Sequence, residues 1–221
     1  MPDWQLDTAA DARARGFRRD GAKKVDRPEV MDNYAWGNRV QVKFGDGVIP
    51  EGYAVVIEAE QLQPSHLDGK RNPSHFLDEA QPKNRKDGAS RAAADRIARE
   101  IRPEEITSSV TAFTGAPSIN GRGEVIQGNN RGDALRRMYE GYPQSAEKYR
   151  QYLIDHAQDF GLTPEAISAF SHPVLVNMLD VTDDEAIHYG QYAAQDTESG
   201  GIERIKPKNA VQKMGNEVST F

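Results

Sequence analysis

The chain has 221 residues, with 28 Lys plus Arg, 34 Asp plus Glu and no cysteine. That length can bury a real core, and the lack of cysteine excludes disulfide scaffolds, thiolate metal sites and any cysteine nucleophile. A net charge of -6 argues against a general polyanion binder, but residues 151–203 hold ten acids and no Lys or Arg, while residues 1–150 are nearly balanced.

Residues 1–38 are rich in Asp, Arg, Ala and Gly without a sustained hydrophobic period, which predicts an N-terminal extension. From Arg39 onward Val40, Val42 and Phe44 alternate with Arg39, Gln41 and Lys43, the period of a half-buried strand. A Gly45-Asp46-Gly47 turn leads to a more deeply buried strand over residues 53–59. A polar loop with Pro64, Pro73 and Pro82 runs from 63 to about 89, and loops of that length inside a domain are usually functional or disordered. Ser90 can cap a helix on which Ala93, Ile97 and Ile101 recur at a spacing of four, closed by Pro103. Residues 116–120 and 124–127 read as short strands about a Gly121-Arg122-Gly123 turn. Gly128-Asn129-Asn130 ends the second, and a helix follows from Arg131 with Ala134, Leu135 and Met138 on one face. A longer helix over 144–160 ends at Gly161, Thr163-Pro164-Glu165 opens another, and residues 173–178 form an apolar strand. Thr182 and Glu185 have the spacing of a capping box at the head of a helix reaching about residue 194. This alternation predicts a compact α/β or α+β domain.

The strongest chemical signal is the passage from strand through Gly128 into the helix headed by Arg131. A strand that ends in glycine just before a helix presents backbone N–H groups at the positive end of the helix dipole. Gly128 allows close approach of a ligand to Asn129 and Asn130, and Arg131 adds a two-pronged cation suited to phosphate oxygens. Arg85 and Arg91, in a basic stretch that also holds Lys83, Lys86, Arg96 and Arg99, can add charge from the preceding loop and helix. Ser65 and His66 follow the second strand, and His75 shares their loop; imidazole suits a metal or a general base, although polar loop histidines are commoner. No paired-histidine spacing, Gly-x-Ser-x-Gly or Walker loop is present, which removes zinc hydrolases, α/β-hydrolases and P-loop enzymes, and no metal ligand is assigned. The acids Asp180, Asp183, Asp184 and Glu185 could hold Mg²⁺ through their carboxylate oxygens, although Thr182 to Glu185 fits a helix start by the dipole without any metal.

The Gly128-Asn129-Asn130-Arg131 segment resembles the Gly-x-x-Arg box of the ParB/sulfiredoxin superfamily, and residues 53–214 resemble its DdrB-like branch, found in polyvalent proteins of phages and conjugative elements. The matching pieces are Val55-Val56-Ile57-Glu58-Ala59 with Leu62 and Pro64-Ser65-His66, then Gln81 with Arg85 and Arg91. Gly115-Ala116-Pro117, the box itself with Ala134-Leu135-Arg136-Arg137, and Pro173-Val174-Leu175-Val176 complete them. The resemblance implies a ParB/sulfiredoxin-like small mixed sheet flanked by helices, with a helical insert, over residues 39–214, followed by a tail at 215–221. It implies nucleotide or DNA phosphate bound by Gly128, Asn129, Asn130 and Arg131, with Arg85, Arg91, Ser65 and His66 around them, and Mg²⁺ accompanying any nucleotide. Gln195 and Asp196 stand where the superfamily's Glu-Asn box is expected, ahead of Ile205 to Ala210, so CTP hydrolysis is not inferred. Sulfiredoxin chemistry needs a cysteine and is excluded.

The resemblance therefore leads to a phage or mobile-element module, acting as a nuclease or as a nucleotide-gated DNA module. The catalytic residue is undetermined, with Glu58, Glu60, His66 and Asp133 as candidates by location. The competing reading is a non-catalytic protein-interaction or anti-defence module using the acidic C-terminal half. No helix-turn-helix is expected within the 221 residues, so DNA binding should be weak, salt-sensitive and tolerant of sequence. Asp3 and Asp7 follow Met1 in place of a basic-then-apolar leader, and the apolar runs are too short to span a bilayer. The expected location is the cytoplasm of a bacterial host, or a virion. If Arg131 grips phosphate as an exposed side chain, Arg131→Ala should cost affinity with little loss of stability.

Overall fold

The two apolar runs of the sequence lie side by side. The structure, a computed structural model, describes residues 6–7, 31, 33–44, 47–77, 88–107 and 114–198, with backbone alone at 6–7 and from 192. In it β3 (Glu51–Glu58) pairs antiparallel with β8 (Pro173–Leu179) from Gly52↔Leu179 to Glu58↔Pro173. Val55, Val56, Ile57, Val174 and Val176 are all fully buried. A run of β-branched residues without alternation is what a strand covered on both faces needs.

Shorter strands extend the sheet on both sides. β1 (Leu6–Asp7) and β2 (Tyr34–Gln41) continue it past β3, and β6 (Ser118–Ile119) and β7 (Val125–Gln127) continue it past β8. The order is β1-β2-β3-β8-β6-β7, with β6 parallel to β8 and the other ladders antiparallel, so the expected mixed sheet is present. β2 starts at Tyr34, five residues before the alternation at Arg39 and inside the segment expected as an extension. Its first residues, Tyr34, Ala35 and Trp36, are all buried and so show no period of two. Trp36 meets Tyr34 and Tyr53 edge to face. Most of the expected extension, residues 8–30, and the tail at 215–221 lie outside the described residues.

Six helices surround the sheet among the described residues: α1 (Gly88–Arg99), α2 (Pro103–Thr107), α3 (Asn129–Gly141), α4 (Pro143–Asp155), α5 (Pro164–Ser168) and α6 (Asp183–Glu198). The helix expected over 144–160 is α4 followed by a 3-10 turn at Ala157–Phe160, which Gly161 closes at a φ of 75°. The helix expected to be capped by Ser90 begins two residues earlier, at Gly88, so Ser90 lies inside its first turn, whereas the starts expected at Thr163 and Thr182 form. Thr163 Oγ1 accepts the Ala166 N–H, and Thr182 and Glu185 exchange the two bonds of a capping box.

At β7 Val125 joins a larger core and Ile126 a smaller one, and Met178 and Leu179 divide in the same way, so each face of the sheet carries its own core. Ala134, Leu135 and Met138 of α3 and Tyr149 and Leu153 of α4 fill the larger core. Each such large side chain contributes about 1.5–3 kcal/mol of apolar burial. Ala186 and Tyr189 of α6 cover the smaller one, with the Tyr189 ring 5.0 Å from that of Phe44. Among the described residues no helix is long and apolar enough to cross a membrane.

Candidate functional site

The described part of the polar loop contains a small hairpin, β4 (His66–Leu67) and β5 (Lys70–Arg71). Asp68 and Gly69 turn it with φ of 51° and 73°. Asp-Gly is a preferred pair for a two-residue turn that needs both central residues at positive φ. The base of the hairpin is pinned by Arg71, whose guanidinium donates to the carbonyls of Ser65, Asn72 and His75. Its tip faces the start of α3.

Gly128 supplies the helix cap of α3 from the left-handed region, at a φ of 91°. The positive φ disfavours any side chain at this position, and a Cβ there would also crowd the Arg131 guanidinium, at 2.7 Å. Asn129 is buried and ties the helix start to the loop: its Oδ1 accepts the Ser65 N–H at 2.6 Å. Ser65 Oγ in turn lies 3.2 Å from His66 Nδ1. His66, Gly69, Ser90, Arg91, Asn129, Asn130 and Asp133 line a shallow concavity where hairpin, α1 and α3 converge. A helix start leaves its first N–H groups outside the helical ladder, and two residues of this start, Asn129 and Asn130, line the concavity.

Six of the eight expected residues are thus brought together, in that Ser65, His66, Asn129, Asn130 and Arg91 meet around the turn at the sixth, Gly128. Arg85 lies outside the described residues. Arg131 goes elsewhere: its side chain folds back along Gly128 and its Nη1 donates to the Gly115 carbonyl at 2.6 Å. Burial pushes the guanidinium down to about 10. The expectation that this arginine is exposed is therefore corrected, because its guanidinium lies half-buried against Gly128 and bonds the Gly115 carbonyl. Its burial also revises the expectation of unchanged stability on truncation.

Two charged residues of the site, Asp68 and Arg137, were assigned no role from the sequence. Asp68 Oδ1 is ion-paired with Arg91 Nε at 2.8 Å and accepts a hydrogen bond from Arg137 Nη2 at 2.9 Å, and Arg137 Nε donates to Asp133 at 3.0 Å. Arg137 and Asp133 are four apart on α3, a spacing that pairs on any helix. Arg137's hydrogen bond, working against slight desolvation and helped by the charges of Arg91, Arg137 and Lys70, holds the Asp68 carboxyl below its usual range.

The other proposed carboxylates fall in a separate cluster. Glu58 accepts the N–H groups of Ser171 and His172, and Glu60 pairs with His172 Nδ1 at 2.6 Å, while the His172 ring lies 4.8 Å from that of Tyr139. These three ligand atoms lie within 4.8 Å of one another, a set that could hold a metal ion. Their existing bonds already account for them as the fastening between the β3 and β8 ends.

Neither a curated protein nor a solved structure matches the chain. A family model, the ddrB-like ParB superfamily domain, matches residues 46–180, well over half of the sequence. That span carries β3, the hairpin, α1, the Gly128 turn, α3 and β8, and stops before the Gln195-Asp196 segment, whose side chains lie outside the described residues with residues 205–210. A DNA- or nucleotide-related function follows in general terms. On the strength of that match, and with the mixed sheet it implies in place, the chain belongs to the ddrB-like ParB superfamily.

Proposed function

We propose that the domain binds the phosphate of a nucleotide or nucleic acid in the concavity at the head of α3. One observation carries this reading. The glycine-capped start of a 13-residue helix opens onto a wall that also bears Arg91, Ser90 and His66. Helix N–H groups and dipole favour an anion there, and an arginine adds charge-assisted bonds. Gly128, Asn129 and Asn130 would supply backbone donors, Ser65 and His66 the facing wall, and Arg131 would act from beneath by holding the turn in shape. Mg²⁺ would enter with a nucleotide.

Two of the four proposed catalytic groups, His66 and Asp133, line this concavity, and Asp133 is already bonded to Arg137. His66 is accordingly the group to substitute first in a test of nuclease or nucleotide-hydrolase chemistry. A phage or mobile-element setting follows from the family's DdrB-like character. No particular observation favours the alternative interaction or anti-defence module. Asp183, Glu185, Asp159 and Asp155 of the acidic half all bond within the chain.

The test is a thermal-shift screen of the full chain against nucleoside triphosphates and short DNA duplexes, with and without Mg²⁺, at low and physiological salt. A phosphate ligand should raise the melting temperature by mass action, and more so at low salt. No shift with any of these ligands at low salt would refute the reading.

A further inference from the structure

Two guanidinium groups from different helices converge on a single oxygen, Oδ1 of Asp68: Arg91 Nε of α1 at 2.8 Å and Arg137 Nη2 of α3 at 2.9 Å. We propose that Arg91 and Arg137 form an oxyanion fork which the chain's own Asp68 occupies, and that a phosphate group binds by displacing the hairpin tip and taking its place. This rests on the reading of the concavity as a phosphate site. It adds Arg137 to the binding set and names a self-competing contact that regulates it.

The two arginines differ in a way that suits the task. Arg137 is only 14% exposed and Asp133 aims it, through the Nε contact, while its Nη2 reaches the fork. Arg91 and Asp68 are more than half exposed. The outer contact is thus a solvated ion pair of the weak and exchangeable kind, beside a rigid inner cation. A carboxylate brings one negative charge, whereas a phosphate monoester brings about 1.5 to 2 and three acceptor oxygens, so it competes well for the same donors. Displacement needs only local motion. Asp68 sits at the tip of a hairpin with two residue pairs, and Arg71 anchors the base of that hairpin through three carbonyls. The groups facing Asp68 are Lys70, Arg91 and Arg137, with Asp133 Oδ1 3.4 Å from its N–H.

Asp68→Asn separates charge from turn geometry, because asparagine is equally suited to the positive-φ position before Gly69. Calorimetric titration of the full chain with inorganic pyrophosphate at low salt should show Asp68→Asn binding more tightly, by up to about fivefold, the equivalent of one exposed ion pair. Arg91→Ala and Arg137→Ala should each weaken pyrophosphate binding about tenfold or more, as for a lost charge-assisted bond. In ¹H–¹⁵N spectra of the wild type, pyrophosphate should move the Gly69 amide resonance. If the arginine variants lose affinity while Asp68→Asn binds no better than wild type, the phosphate site stands and Asp68 is not its occupant. A still Gly69 resonance at saturating pyrophosphate would likewise overturn displacement. If the wild type and Asp68→Asn both fail to bind pyrophosphate, the latch and the site reading fall together.

Discussion

Two clusters of arginine and carboxylate in this molecule use the same residue types for opposite purposes. In the first, Glu124 is fully buried and receives Arg122 Nε at 2.8 Å, Asn120 Nδ2 at 2.7 Å and the Phe76 N–H, while Arg122 Nη2 also reaches Asp183 at the head of α6. Asn120 Oδ1 accepts the N–H groups of Arg122 and Glu124. In the second, Asp68 joins Arg91 and Arg137 with both its own side chain and that of Arg91 more than half exposed. Water decides the difference. A carboxylate sealed from solvent cannot exchange partners, because each lost bond leaves a buried charge uncompensated. A carboxylate at the surface trades its partners for water at small cost and can yield them to another anion.

The largest expected effect breaks the sealed cluster. Glu124→Ala strands Arg122, Asn120 and the Phe76 N–H, and should cost about 3–5 kcal/mol in urea denaturation, as for one partner removed from a buried pair. A loss well under 1 kcal/mol would show that the cluster is not the fastening described. Arg131→Ala should fall between the two clusters, losing about 1–3 kcal/mol as the Gly115 carbonyl loses its donor and the turn its support. Arg131→Lys should recover only part of this, since an ammonium cannot follow the guanidinium's path along Gly128. Wild-type stability in Arg131→Ala would return that side chain to the exposed role first expected of it.

At the open cluster the prediction is inverted. Arg91→Ala should leave urea denaturation almost unchanged and act on ligand affinity alone, so a clear loss of stability there would erase the contrast between the clusters.

The smallest effect concerns pH. Burial, against a hydrogen bond to the Val125 carbonyl and the attraction of Glu124, lowers the His75 pKa, and its Nδ1 has no partner among the described residues. The unfolded chain then takes up a proton more readily than the folded one. The stabilisation is complete above the ordinary histidine pKa of about 6.5 and declines as the pH falls from there toward the lowered folded value. Denaturation midpoints measured between pH 7.5 and 5 should fall with pH, and His75→Leu should flatten that slope. An equal slope in the variant would assign it to other groups.

The sequence by itself determined the elements whose cause is local. Continuous β-branched runs at β3 and β8 required strands covered on both faces, Thr163-Pro164 and Thr182 with Glu185 required helix starts, and Gly128 marked the break between β7 and α3. These depend on neighbours a few residues away, so their patterns are written in the chain. Partner choice was decided only by the tertiary structure. Asp68 and Arg137 are 69 residues apart, Arg122 and Asp183 are 61, and nothing in the spacing of either pair marks it. The start of β2 at Tyr34 was hidden for a related reason, since a strand buried on both faces shows no alternation. Arg131 was identified by its motif but not by its direction: whether a long flexible side chain overhangs its turn or tucks beneath it depends on the Gly115 carbonyl, which a different part of the chain brings into reach.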